Sequence, residues 1–136
     1  MSRIRRNSGG PIKTGTKPLL LEDGTDSEYP VHYILYSNGW LVQSVNLFAD
    51  VVHKFSIPFK KTLVSGSTTE YEPHYSAICG RVHKYGVTPS NNAEQFIYYP
   101  DDPNKFVTKT GITTTGQYMN LVVCGQIDPD FDISTL

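Results

Sequence analysis

Apolar and polar residues alternate in short runs along most of this chain, and no stretch repeats apolar positions at the three-to-four spacing of a helix. Residues 31–36 and 40–48 flank Ser37-Asn38-Gly39, and Asn-Gly between two such runs predicts a tight hairpin with both residues at positive φ. In the second run Leu41, Gln43, Val45 and Leu47 share one face, and Trp40, Val42, Ser44, Asn46 and Phe48 the other. Both faces carry apolar groups, so the strand is expected either in the middle of the fold or against another subunit.

Residues 51–57 alternate with Val51, His53, Phe55 and Ile57 on one side, and Pro58, which lacks an N–H, ends the run. Residues 60–73 read as a polar loop, 75–84 as a strand with a bulge at Gly80, and 86–92 as a second loop. A short aromatic strand over 95–99 precedes the turn Pro100-Asp101-Asp102-Pro103. Runs 105–114 and 117–127 predict a last hairpin about Thr115-Gly116, followed by an acidic tail from Asp128. The pattern predicts an all-β chain of six to seven strands, an antiparallel β-sandwich.

The first residues differ. Residues 1–18 hold Arg3, Arg5, Arg6, Lys13 and Lys17 and no acid, and Gly9-Gly10-Pro11, Gly15 and Pro18 interrupt any regular pattern. They predict an extended basic arm that a partner orders, with 1–27 as arm and linker and 28–136 as the folded domain. No apolar segment follows the arginines, so a signal peptide is not expected; the chain is expected to fold in a reducing cytoplasm, with Cys79 and Cys124 as buried thiols.

Composition supports this reading. In 136 residues, 12% are aromatic and only 18% charged, a balance that argues against a disordered polyelectrolyte or a coiled coil. No apolar run is long enough to span a bilayer as a helix, so membrane insertion is not expected. The five cations of the arm leave seven basic against thirteen acidic residues for the rest, so nucleic acid is a poorer partner than a protein surface for the arm.

Candidate chemistry is sparse. His32, His53, His74 and His83 are scattered, and the two cysteines lack a CxxC partner, so no metal and no cofactor are expected. Asp101-Asp102 and Asp128-Pro129-Asp130 resemble turn chemistry more than a hydrolytic carboxylate pair, and no catalytic residue is assigned. Tyr71, Tyr75, Tyr85, Phe96, Tyr98 and Tyr99 gather near the two long loops, where tyrosine suits contact with glycans or proteins. Alternate members of this set are expected in the core.

Two stretches carry a resemblance. The first is Tyr36-Ser37-Asn38-Gly39-Trp40-Leu41-Val42-Gln43 followed by Val51-Val52-His53-Lys54-Phe55-Ser56-Ile57-Pro58-Phe59. The second is Lys109-Thr110-Gly111-Ile112-Thr113 followed by Met119-Asn120-Leu121-Val122-Val123-Cys124-Gly125. Over residues 31–59 and 105–126 the chain resembles the C-terminal tip domains of tailed-bacteriophage tail fibres. It departs from them at Ser44, where Gly-Gly is usual, at Ile112, where an aromatic is common, and at Val122-Val123, which replace a Trp/Tyr-Ala pair.

The resemblance implies a small β-sandwich, a homotrimer around a threefold axis, and loops at one end that meet the host surface. On that basis Trp40, Leu41, Val45 and Phe55 are expected in the core or trimer contact, and Arg3, Arg5, Arg6, Lys13 and Lys17 in docking to other virion proteins. Tyr71, Tyr85, Tyr98 and Tyr99 are expected to recognise a host-surface glycan. The expected protein is a non-enzymatic virion component made in the host cytoplasm. A capsid decoration or head-fibre protein, a cellular carbohydrate-binding module and a small hydrolase are the alternatives.

Overall fold

A computed structural model describes residues 10–80, 94–109 and 118–136. Ten strands are present among them: β1 (Pro11–Leu21), β2 (Asp26–Tyr36), β3 (Trp40–Phe48), β4 (Val52–Lys54), β5 (Lys61–Leu63), β6 (Tyr71–Pro73), β7 (Tyr75–Gly80), β8 (Gln95–Tyr99), β9 (Asp102–Lys109) and β10 (Tyr118–Gln126). Eight of them form one antiparallel sheet in the order β7-β10-β3-β2-β1-β4-β9-β8, and β5 and β6 make a separate small hairpin. The sheet curls until its two edges, β7 and β8, face one another, with the Tyr75 and Phe96 rings 5.7 Å apart across the gap. The fold is all-β, and the sandwich expected from sequence takes the form of a single, nearly closed sheet around one core.

That core is the inward side of the alternating runs. Leu41, Gln43, Val45 and Leu47 of β3 and Met119, Leu121 and Val123 of β10 are all buried, as the period-two pattern requires. An aromatic group fills the other half: Phe55 stacks on Phe106 at 4.7 Å, Phe106 on Phe96 at 4.8 Å, and Phe59 meets Tyr75 at 5.2 Å. Fully burying each such ring stabilises the fold by about 1.5–3 kcal/mol.

Four expectations need correction. The segment expected as a free arm is, from Pro11 onward, an interior strand: β1 pairs with β2 over nearly its whole length and with β4 at Leu20 and Leu21. Leu19 is completely buried, so Lys13 and Lys17 lie on a strand of the sheet, and 22–25 is a hairpin turn closed by Gly24 at φ 88° rather than a linker. What hid the strand is Gly15, whose missing side chain makes room for the Tyr33 ring; a Cβ there would stand 2.7 Å from the Tyr33 hydroxyl. The prolines Pro18 and Pro30 sit opposite each other where the register slips, which lets β1 bend away from β2 towards β4.

The hairpin at Ser37-Asn38-Gly39 forms, but only Gly39 has positive φ (86°). Gly39 N–H donates to the Tyr36 carbonyl, and Asn38 uses its Oδ1 to accept from Trp40 N–H at 3.1 Å, the geometry of a type I turn followed by a left-handed glycine. Among the described residues the final hairpin does not form, its expected turn at Thr115-Gly116 lying outside them: β9 lies between β4 and β8, and β10 between β3 and β7. Each already has two neighbours, so neither has a free edge for the other. Gly80 stays in regular register opposite Asn120, with no bulge.

Candidate functional site

The acidic residues considered for catalysis are turn residues. Asp102 accepts the Asn104 N–H at 3.1 Å and meets Lys61 Nζ at 3.4 Å, and Asp128 accepts the Asp130 N–H at 2.9 Å. Each closes a local Asx turn, which is the reason an acid flanks proline at both places.

The histidines are likewise apart. His32 lies on the outward side of β2 beside Thr16, and His74 contacts the Thr62 hydroxyl at 2.9 Å. His53 is wholly buried between the rings of Tyr29 and Phe106, and neither of its nitrogens has a hydrogen-bond partner among the described residues. Burial holds its pKa below the ordinary histidine value, with the Val51 main chain opposing the shift. His83 lies outside the described residues. No group of three or more metal-ligating side chains is present among the described residues. Their only helix, the 3-10 turn Ile133–Thr135, is far too short to cross a membrane.

Cys79 points inward from β7, where burial raises its thiol pKa and keeps it protonated, whereas Cys124 points outward from β10. Both are free and half-buried.

The residues expected for recognition do not form one surface. Tyr75 and Phe96 are core residues, Tyr75 donating its hydroxyl to the Pro103 carbonyl at 2.6 Å. Tyr71 has Lys61 Nζ over its ring at 4.5 Å, and Tyr99 has Lys105 Nζ at 4.4 Å, so in each a cation already occupies a face that a sugar would stack on. Tyr98 alone is open, lining a cleft of about 470 Å³ between β7 and β8 with Ala77, Ile78, Cys79 and Glu94. Tyr85 lies outside the described residues.

Of the residues expected for core or trimer contact, Leu41, Val45 and Phe55 are buried in the chain's own interior, whereas Trp40 is 43% exposed on the outward side of β3. Val42 and Val122 share that outward side, and Ile78 on the neighbouring β7 is 75% exposed. Leu41, Val45 and Phe55 are therefore satisfied without a neighbour, and Trp40 is not.

The two ends of the sheet differ. At one end β1 starts beside the Ser37 turn, where Ser37 N–H donates to the Gly10 carbonyl at 2.7 Å. The β5–β6 hairpin and the Pro100–Asp101 turn share this end, tied by Lys60 N–H to the Gln126 carbonyl and Tyr71 N–H to the Pro100 carbonyl. Lys13, also here, donates to the Leu136 main-chain oxygen at 3.1 Å. The opposite end carries the turns at 22–25 and 49–51, the last residue of β7 and the first of β8 and β10. Gly80, Gln95, Lys109 and Tyr118 thus all lie at the end away from Gly10. Arg3, Arg5 and Arg6 lie outside the described residues, ahead of that starting point.

This end-to-end polarity, the seam cleft and the outward side of β3 and β10 were not evident as sites in the sequence. Sequence showed only that β3 is apolar on both faces. No protein-family model matches the chain, and no curated protein or solved structure shows significant similarity to it.

Proposed function

We propose that this chain is a non-enzymatic bacteriophage virion protein that assembles as a homotrimer, attaches to the particle through the residues ahead of Pro11 and displays its opposite end to the host surface. The fibre-tip character of this reading comes from the resemblance of residues 31–59 and 105–126. The observation that carries it is the polarity of the sheet: the strand that follows Arg3, Arg5 and Arg6 begins at one end, while β7 ends, and β8 and β10 begin, at the other. A body tethered at one end and exposed at the other is what an adhesin or decoration protein needs. Three copies on one axis would turn weak glycan contacts into avid attachment.

The reading moves the glycan-facing surface. Tyr71 and Tyr99 are capped by lysines at or near the tethered end, so contact with the host falls to the opposite end, where β7 ends and β8 and β10 begin.

The test is incorporation. A chain lacking residues 2–9 should fold and keep its oligomeric state but fail to join particles when supplied in trans. Particles that still take up the truncated protein would remove the attachment role, and a clean monomer at micromolar concentration would remove the trimer.

A further inference from the structure

Over most of its area the outward side of five adjacent strands, β7, β10, β3, β2 and β1, carries no formal charge, the acids Asp26 and Glu28 lying at its margin at the start of β2. Along one row, residues paired strand to strand run Ile78, Val122, Ser44, His32 and Thr16 across β7, β10, β3, β2 and β1. The next row brings Cys124, Val42 and Ile34 side by side. No Asp, Glu, Lys or Arg occupies an outward position on β7, β3 or β10, on β2 from Pro30 to Tyr36, or on β1 from Thr14 to Pro18. The other flank is ordinary: Lys54 and Lys105 stand opposite each other on β4 and β9, with Lys109 further along.

We infer that this uncharged face is where copies of the chain meet, which deepens the trimeric reading above and rests on it. Three observations select a second copy as the occupant. A face without charge can meet a rotated copy of itself with no like-charge contact, whereas an anionic partner would seek the lysines of the opposite flank. Its residues are a mixture of exposed apolar groups, Ile78, Val122 and Trp40, with neutral hydrogen-bonding groups, Asn46, Asn120 and Ser44, the composition of an interface centre from which charges are depleted. Its extent also fits. Five strands about 4.8 Å apart, over the length of β3, present roughly 600 Å² in projection, and side-chain relief brings this near ~800 Å² per copy, to be divided between its two neighbours on a threefold axis.

The face is outward, so single substitutions there leave the core intact. Val122→Lys and Ser44→Lys place a cation in its centre, and Ile97→Lys on β8 is the control outside it. Multi-angle light scattering of the full chain, with circular dichroism to confirm the fold, should give three times the 15.2 kDa chain mass for the native protein and the control, and one chain mass for both lysine variants. If the variants remain trimeric, the face is not the interface and the trimeric reading survives. If the native protein is itself monomeric, both are overturned, and binding of a neutral glycan array would reassign the face. Should a variant misfold, the native protein alone still decides: its mass should be unchanged between low salt and about 1 M NaCl, where charge-based contacts are screened. Dissociation at high salt would overturn the inference.

Discussion

The side chain of Asn104 and the peptide of Phe59, 45 residues apart, exchange two hydrogen bonds: Phe59 N–H donates to Asn104 Oδ1 at 2.7 Å, and Asn104 Nδ2 donates to the Phe59 carbonyl at 3.0 Å. The amide thus replaces a strand neighbour for a segment that Pro58 has removed from the ladder. The Asn104 main chain holds Phe55 in the same way, its carbonyl accepting the Phe55 N–H at 3.0 Å. Asn104→Ala leaves a buried N–H and a buried carbonyl without partners, each costing about 1–3 kcal/mol. We expect a loss of about 2–4 kcal/mol in urea unfolding, and at least as large a loss for Asn104→Asp, which keeps the acceptor but turns a carboxylate oxygen towards the Phe59 carbonyl.

Gly125 answers a different demand. A Cβ at this position would lie 2.6 Å from the Tyr75 Cα and closer still to the His74 carbonyl, so β7 crosses β10 there at backbone contact. Gly125→Ala must push the strands apart and should cost at least about 3 kcal/mol or prevent folding. Gly80→Ala, with nothing within 4 Å and ordinary φ, should change the melting temperature by no more than a degree or two. Equal effects of the two would contradict the crossing.

Truncation separates the arm from the strand. Removing residues 2–9 spares every strand among the described residues, and the melting temperature should stay close to that of the intact chain. Removing 2–18 deletes most of β1, exposes the inward face of β2 and breaks the link to β4, so the protein should be unfolded or aggregated. A soluble, cooperative 2–18 deletion would show that β1 is dispensable.

His53 makes stability depend on pH. Its pKa is lowered in the folded state, so on acidification the unfolded chain takes up the proton first, near its ordinary value of about 6.5. The contribution of neutral His53 is therefore fully present above that value and is lost as pH falls towards the folded pKa. The midpoint of thermal unfolding should drop on going from pH 7 to pH 5. His53→Phe, which fills the same site between Tyr29 and Phe106 without a titrating group, should flatten that part of the profile.

Local pattern carried much of the fold. The alternation in residues 40–48 and 118–126 put the buried residues of β3 and β10 on the correct side, and the aromatic run at 95–99 placed β8. Pairing was less legible. The last two strands are consecutive and joined by a Thr-Gly segment, the usual mark of a hairpin, yet β3, β2, β1 and β4 stand between them in the sheet. Which edges remain free depends on partners far away in sequence, and no local signal records them.

The candidate surfaces show the same division. Tyr71, Tyr98 and Tyr99 were recognisable as tyrosines near loops, but the lysines that cap two of them come from elsewhere, Lys61 ten residues before Tyr71 and Lys105 on the next strand from Tyr99. Likewise, the absence of charge is spread over alternate positions of five strands and becomes one surface only when their register is known.

By itself, the order of residues determined that the chain is all-β, where most strands run and which side of each turns inward, because those properties follow from the period of two and from turn chemistry within a few residues. Only the tertiary structure decided that the basic segment from Pro11 onward is a strand. Gly15 has no side chain to continue an alternating pattern, and the Tyr33 ring that takes up the space comes from the neighbouring strand. Long-range contacts of this kind, like the Asn104 bridge and the Gly125 crossing, depend on distances that sequence neighbours do not encode.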